Sequence, residues 1–244
     1  MNKKVFKWIK RIVITLVILF IAVVTGLMIY SRKPYTALSE MTDQMALIDD
    51  SSITIERNRQ SIQYRVDNPI KNIIFVPGGL VTSNSYSYIA LSLALEGYDV
   101  TIIKPLFHLA ILSPNQGKRY VNEDLDNVII GHSLGGVVAT MVASQIKDIS
   151  TVILMGSYPI RDITDKDTLF ITAEYDLNMD QEAFNDSLKY VNDDTEFINI
   201  DGANHAQFGW YGPQKGDGEA TISTLTQQNL VIQYILDFIE NQDE

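Results

Sequence analysis

Residues 128–136 read Val-Ile-Ile-Gly-His-Ser-Leu-Gly-Gly and place one hydroxyl where a β-rich run gives way to an apolar helical one. A serine hydroxyl is a weak nucleophile at neutral pH and attacks a carbonyl only when a base removes its proton. Gly131 and Gly135 flank Ser133 in the spacing G-x-S-x-G. The missing side chains let a strand and the following helix close on each other, which lifts the serine to the apex of the turn. A five-residue pattern also occurs in ordinary glycine turns, so the chemistry depends on what else the chain supplies.

Three histidines are available as the base: His108, His132 and His205. His132 adjoins the serine, but strand alternation turns its ring to the other side. His108 precedes the serine within the apolar stretch Lys104-Pro-Leu-Phe-His-Leu-Ala and reads as a packed or substrate-lining residue. His205, in Asp201-Gly-Ala-Asn-His-Ala-Gln-Phe-Gly, follows the last apolar strand and is expected on a loop at the same sheet edge as Ser133. It is the candidate general base. An imidazole that shuttles a proton needs an acid to fix its tautomer. Asp176, in Ala173-Glu-Tyr-Asp-Leu-Asn-Met-Asp, is the first choice, with Glu174 and Asp180 as rivals. For the negative charge that develops on the substrate oxygen, backbone N–H donors are expected from Leu134 and from the Gly78-Gly79-Leu80 loop, Gly79 first and Leu80 second. The chain has no cysteine, and its three histidines are wrongly spaced for a zinc site. No metal and no cofactor is expected.

These residues need a scaffold with a common edge. Alternation around Arg57-Asn-Arg-Gln predicts a hairpin over residues 52–66. Short apolar strands follow at 72–77, 98–103, 128–130, 151–155, 168–172 and 196–200. Helices are predicted at about 85–96, from the serine to about 146, at 181–190, and at 222–240. Strands alternating with helices define an α/β fold, a mostly parallel sheet flanked by helices on both faces, with ligands at the carboxyl ends of the strands. Only about a dozen residues, 156–167, separate two successive strands, too few for a helical cap. The loop beyond His205 carries Phe208, Trp210 and Tyr211 and is expected to wall the pocket.

The first 35 residues have a different character. Residues 12–30 carry no charge, giving a helix of roughly 28 Å, close to a bilayer's hydrocarbon core. Trp8 and Tyr30 sit at its ends, as interfacial rings do. The apolar run is longer than a signal peptide's core and lacks a small-residue cleavage site, so an uncleaved anchor is expected. Five Lys/Arg precede the span and two follow it closely, which favours a cytoplasmic N-terminus and an extracellular domain. The expected organisation is an anchor at 1–35, a linker at 36–50 and a catalytic domain at 51–244. From residue 36 onward there are twelve Lys/Arg against thirty Asp/Glu, a surface that repels nucleic acid and anionic lipid.

With the segments Phe75-Val-Pro-Gly-Gly-Leu-Val, Gly131-His-Ser-Leu-Gly-Gly, Ala173-Glu-Tyr-Asp and Gly202-Ala-Asn-His-Ala-Gln-Phe-Gly-Trp-Tyr-Gly in hand, the chain resembles the α/β-hydrolase superfamily. The resemblance covers about residues 70–241 and is to a compact, lidless bacterial branch related to dienelactone-hydrolase-like proteins. It implies a metal-free serine hydrolase with the chain order Ser133, Asp176, His205. Two positions depart from that branch: Ser133 stands where dienelactone hydrolases carry cysteine, and Pro77 where many relatives carry histidine. The expected activity is hydrolysis of a small carboxylic ester through an acyl-enzyme. An acyltransferase with the same triad, or a non-catalytic binding or scaffold module on the same fold, are the alternatives.

Overall fold

The computed structural model describes residues 3–242, so the outermost two residues of the expected anchor and of the expected domain lie outside the described residues. The chain divides after Pro34 into two compact units. The first is one helix, α1 (Lys3–Tyr30). Its stretch Lys7–Tyr30, 24 residues, is long and apolar enough to cross a membrane.

The second unit contains α2 (Ser39–Met45), β1 (Thr54–Arg57), β2 (Ser61–Arg65), β3 (Asn72–Val76), α3 (Ser87–Leu95), β4 (Asp99–Ile103), β5 (Asn127–His132), α4 (Leu134–Ala143), β6 (Ile149–Met155), β7 (Asp167–Ala173), α5 (Gln181–Ser187), β8 (Glu196–Ile200) and α6 (Thr224–Asn241). The strands form one eight-stranded sheet in the order β1-β2-β4-β3-β5-β6-β7-β8. β1–β2 and β2–β4 are antiparallel, and the remaining neighbours are parallel.

The apolar runs explain the layering. Along β3, Ile73 and Phe75 enter one core cluster, while Ile74 and Val76 enter the other. β5 divides the same way, Val128 and Ile130 against Ile129. Both faces are thus buried, as parallel sheets require. α3 and α6 cover the first face, and α4 covers the second.

The stretch 36–50, expected as a linker, packs in part on the domain. Tyr35 N–H donates to Leu80 O at 2.7 Å, and Thr82 N–H donates to Tyr35 O at 2.9 Å. Leu38 N–H bonds Trp210 O at 3.0 Å, and Met41 on α2 is buried in the first core cluster. Backbone pairing with the loop beyond β3 binds the start of the segment to the domain, and Ala37, Met45 and Ile48 pack against the same cluster.

Candidate active site

The turn from β5 to α4 holds Ser133 at φ 53°, ψ −127°, a region that L side chains rarely adopt and that costs on the order of 1–3 kcal/mol. Three bonds fix it. Ser133 N–H donates to Met155 O at 3.0 Å. Its carbonyl accepts Gly136 N–H at 2.9 Å and the Ser157 hydroxyl at 2.6 Å. Gly135 is obligatory by close approach: a β-carbon there would fall on the carbonyl oxygens of Val76 and Pro77. β3 and α4 therefore touch backbone to backbone, and the loop after β3 lies beside the serine. Ser133, Leu134 and Gly79 are part-exposed among buried neighbours, so the apex opens to solvent.

His205 follows β8 and Asp176 follows β7. His205 Nδ1 and Asp176 Oδ2 are 2.7 Å apart, and both side chains are buried. The other carboxylate oxygen, Oδ1, accepts the N–H groups of Asn178 and Met179, each at 2.9 Å. With both oxygens engaged the carboxylate cannot rotate, and the imidazole takes its orientation from a fixed acceptor. Gly156, at φ 51°, makes room for the pair: a β-carbon would stand 2.9 Å from both Asp176 Oδ2 and His205 Nδ1. Gly156 directly follows Met155, whose carbonyl holds Ser133 N–H. The pair and the serine thus meet at the carboxyl end of β6. Among the described residues no hydrogen bond joins Ser133 Oγ to His205, and such bonds commonly tighten only on substrate binding.

The rival acids are committed elsewhere. Glu174 Oε2 accepts Gly202 N–H at 2.8 Å. Asp180 caps α5 by accepting Ala183 N–H at 3.0 Å.

The loop after β3, where the oxyanion donors were expected, sorts itself by the same accounting. Gly78 N–H donates to Tyr86 Oη at 2.9 Å. Leu80 N–H donates to His108 O at 2.7 Å, which removes the second-choice donor. Gly79 N–H has no acceptor among the described residues, and a β-carbon on Gly79 would lie 3.1 Å from Leu134 Cδ2. Leu134 opens α4, where the first N–H groups lack helical partners and the helix dipole favours negative charge. Gly79 and Leu134 are therefore side by side with N–H groups to give.

His132 is engaged by Tyr86. Its parity with Val128 and Ile130 sends it to the α3 and α6 side, where its Nδ1 lies 2.8 Å from Tyr86 Oη. Tyr86 accepts from Gly78, so its own proton goes to His132 Nδ1, leaving the imidazole proton on Nε2. That Nε2 is buried without a partner. Burial first, and the neighbouring His205 second, hold His132 well below the ordinary histidine pKa. Its ring centroid is 4.6 Å from that of His205. A neutral ring there adds no positive charge beside His205.

Sequence reasoning missed Tyr86, Ser157 and Asp217. Asp217 holds the His205 loop by accepting Ala206 N–H at 2.8 Å and His205 N–H at 3.4 Å. None carries a local signal, because each acts across a long stretch of chain. The aromatic wall is corrected: Phe208, Trp210 and Tyr211 are buried in the first core cluster. Trp210 packs edge-on against Tyr88, so these rings bind their own domain.

A strand-turn-helix serine beside a buried histidine–aspartate pair, on this strand order, defines a protein of the hydrolase type. The chain belongs to the alpha/beta hydrolase family, whose sequence profile matches residues 72–229. A search of curated proteins found no match. Among solved structures, dienelactone hydrolase from Anabaena variabilis is similar at 14% identity and a TM-score of 0.54, covering 76% of this chain and 98% of its own. Ferulic acid esterase from Streptomyces cinnamoneus shares 15% identity at a TM-score of 0.61, covering 73% and 69%. Mouse alpha/beta hydrolase domain-containing protein 10 shares 12% at 0.56, covering 78% and 99%. At such identities these likenesses concern the fold.

Proposed function

We propose that the protein is a serine hydrolase of carboxylic esters, tethered by α1 with its domain on the outer side of the membrane. The observation that carries the reading is the buried 2.7 Å contact between His205 and Asp176 at the sheet edge that presents Ser133. Asp176 accepts the proton on His205 Nδ1, which leaves Nε2 free as the base. Ser133 Oγ attacks the ester carbonyl carbon as its proton passes to Nε2. The carbonyl π electrons move to oxygen, where the N–H groups of Gly79 and Leu134 meet the charge. Collapse breaks the bond to the alkoxy oxygen, which leaves with the proton from His205. Water repeats the sequence on the acyl-enzyme and releases the acid. The esterase-type names among the structural neighbours support this class of substrate. The five Lys/Arg before the span against two after it support the orientation.

A fluorophosphonate probe on the full chain should label the wild type and not Ser133→Ala. Ser133→Ala and His205→Ala should each lower kcat/KM for ester hydrolysis by about a thousandfold or more, with the double variant scarcely worse, because the two groups act as one unit. Labelling that survives Ser133→Ala would remove the serine from the mechanism.

A further inference from the structure

A cluster of positive charge lies beside the loop that follows β3. A cavity of about 780 Å³ opens where the β1–β2 turn meets the segments that follow β3 and β4. Its lining includes Arg59, Lys104, His108 and Arg119 and not one carboxylate. From residue 36 onward thirty acids face twelve bases, so a quarter of the domain's Lys/Arg share a cavity from which every acid is excluded. Neither Arg59 nor Arg119 has a carboxylate partner among the described residues. Lys104 Nζ donates to Asn58 O at 2.8 Å. Burial first, and the Arg57 charge second, push its ammonium below the ordinary lysine value.

The cavity is braced. Gln116 is buried, and its Nε2 donates to Gln60 O at 2.9 Å and to Lys104 O at 3.0 Å. That one amide ties the turn bearing Arg59 to the end of β4. Phe107 and His108, on the wall, are consecutive non-glycine residues at φ 55° and 56°. Such strain persists where the surroundings hold it and marks functional walls. Here the His108 carbonyl accepts Leu80 N–H at 2.7 Å. The same segment puts Leu109 Cδ2 3.8 Å from where a Gly79 β-carbon would stand. One face of the segment lines the cavity, and the other backs the oxyanion glycine.

We infer that this cavity is an anion subsite that takes a carboxylate- or phosphate-bearing group. Its size suits a small organic molecule. Unpaired cations on a braced wall, inside an otherwise acidic surface, focus an anion there. Two sources carry that chemistry: the remote acidic end of the ester attacked by Ser133, or a free anion that stiffens the segment behind Gly79. Only the first source rests on the serine-hydrolase reading.

The test uses the full chain in nonionic detergent, as wild type and as Arg59→Gln/Arg119→Gln. Both side chains are on exposed residues, and the Gln116 brace is left intact. Glutarate and inorganic phosphate are titrated calorimetrically. At least one should bind the wild type, at least about tenfold more weakly to the double variant, and more weakly as salt rises. In parallel, hydrolysis of monoethyl glutarate and of ethyl pentanoate is followed by pH-stat. If the substrate is the source, the preference for the charged ester falls about tenfold in the variant. If a free anion is the source, that preference does not change, and glutarate or phosphate alters ethyl pentanoate turnover without competing with it. Probe binding that is equal in both proteins, or absent from the wild type with no preference for the charged ester, overturns the subsite. Arginine-dependent probe binding with neither ester hydrolysed would support the subsite and count against the hydrolase reading.

Discussion

His132 shows how one side chain is set by groups that its sequence neighbourhood does not announce. Strand alternation placed its ring away from Ser133, and it stands on the α3 and α6 side. Its partner Tyr86 lies 46 residues earlier, beyond the reach of any local pattern. The candidate site was otherwise legible at this scale, since Ser133, Asp176 and His205 each follow an apolar strand. The donor loop was legible only in outline. The sequence ranked Gly79 first and Leu80 second, and the physical reason for that order lies in Tyr86 Oη and His108 O, which already occupy the Gly78 and Leu80 N–H groups. The depressed pKa of His132 has a stability consequence. The unfolded chain binds a proton near pH 6.5, while the folded chain, with its pKa lowered chiefly by burial, does not. Stability from this group is therefore present above about pH 6.5 and is lost as pH falls below it. The slope approaches about 1.4 kcal/mol per pH unit per proton. His108 is shifted the same way by partial burial, so the difference between proteins is what counts. His132→Asn keeps an acceptor for Tyr86 Oη and should flatten the fall in urea midpoint between pH 6.5 and 5, read by Trp210 fluorescence. An unchanged slope would mean that His132 titrates normally in the folded protein.

At the scale of elements, strands whose faces are both buried could be read from their apolar runs, and β3, β4, β5, β6 and β7 fall where expected, as does the more exposed edge strand β8. The stretch between β4 and β5 has only isolated short 3₁₀ turns and so offers no periodicity to detect. α2, within the expected linker, was not read as packed, because Met41 finds its partners only in the assembled core. The β5–Ser133–α4 turn is legible for the opposite reason: its glycines are demanded locally, by contact with Val76 and Pro77. That demand extends to Ser133 itself. At φ 53°, a β-carbon is strained and glycine is not. Relief of on the order of 1–3 kcal/mol is offset by roughly 0.4–1 kcal/mol of extra unfolded-chain freedom. Ser133→Gly should therefore unfold at a higher urea concentration than Ser133→Ala, by about 1 kcal/mol, while both lack esterase activity. Equal midpoints would place the strain elsewhere in the turn.

For the whole molecule, charge and hydropathy divide the chain more sharply than any motif does. Seven of the nineteen Lys/Arg lie in the first 35 residues, where there is no acid. The thirty acids all follow. α1 ends at Tyr30, the domain's own hydrogen bonding begins at Tyr35, and the linker expected over 36–50 packs in part on the domain through Leu38 and Met41. In the proposed topology the cationic N-terminal flank stays on the cytoplasmic side, and the acidic domain faces outward, repelled by anionic headgroups. Its substrates then arrive from the aqueous phase. The absence of cysteine permits a clean test of this orientation. A single Asp124→Cys substitution, at an exposed position, gives the chain one thiol. A membrane-impermeant maleimide applied to intact cells should label it as fully as it does after lysis. Labelling that appears only after lysis would turn the molecule over and make the hydrolase domain an inner-face enzyme.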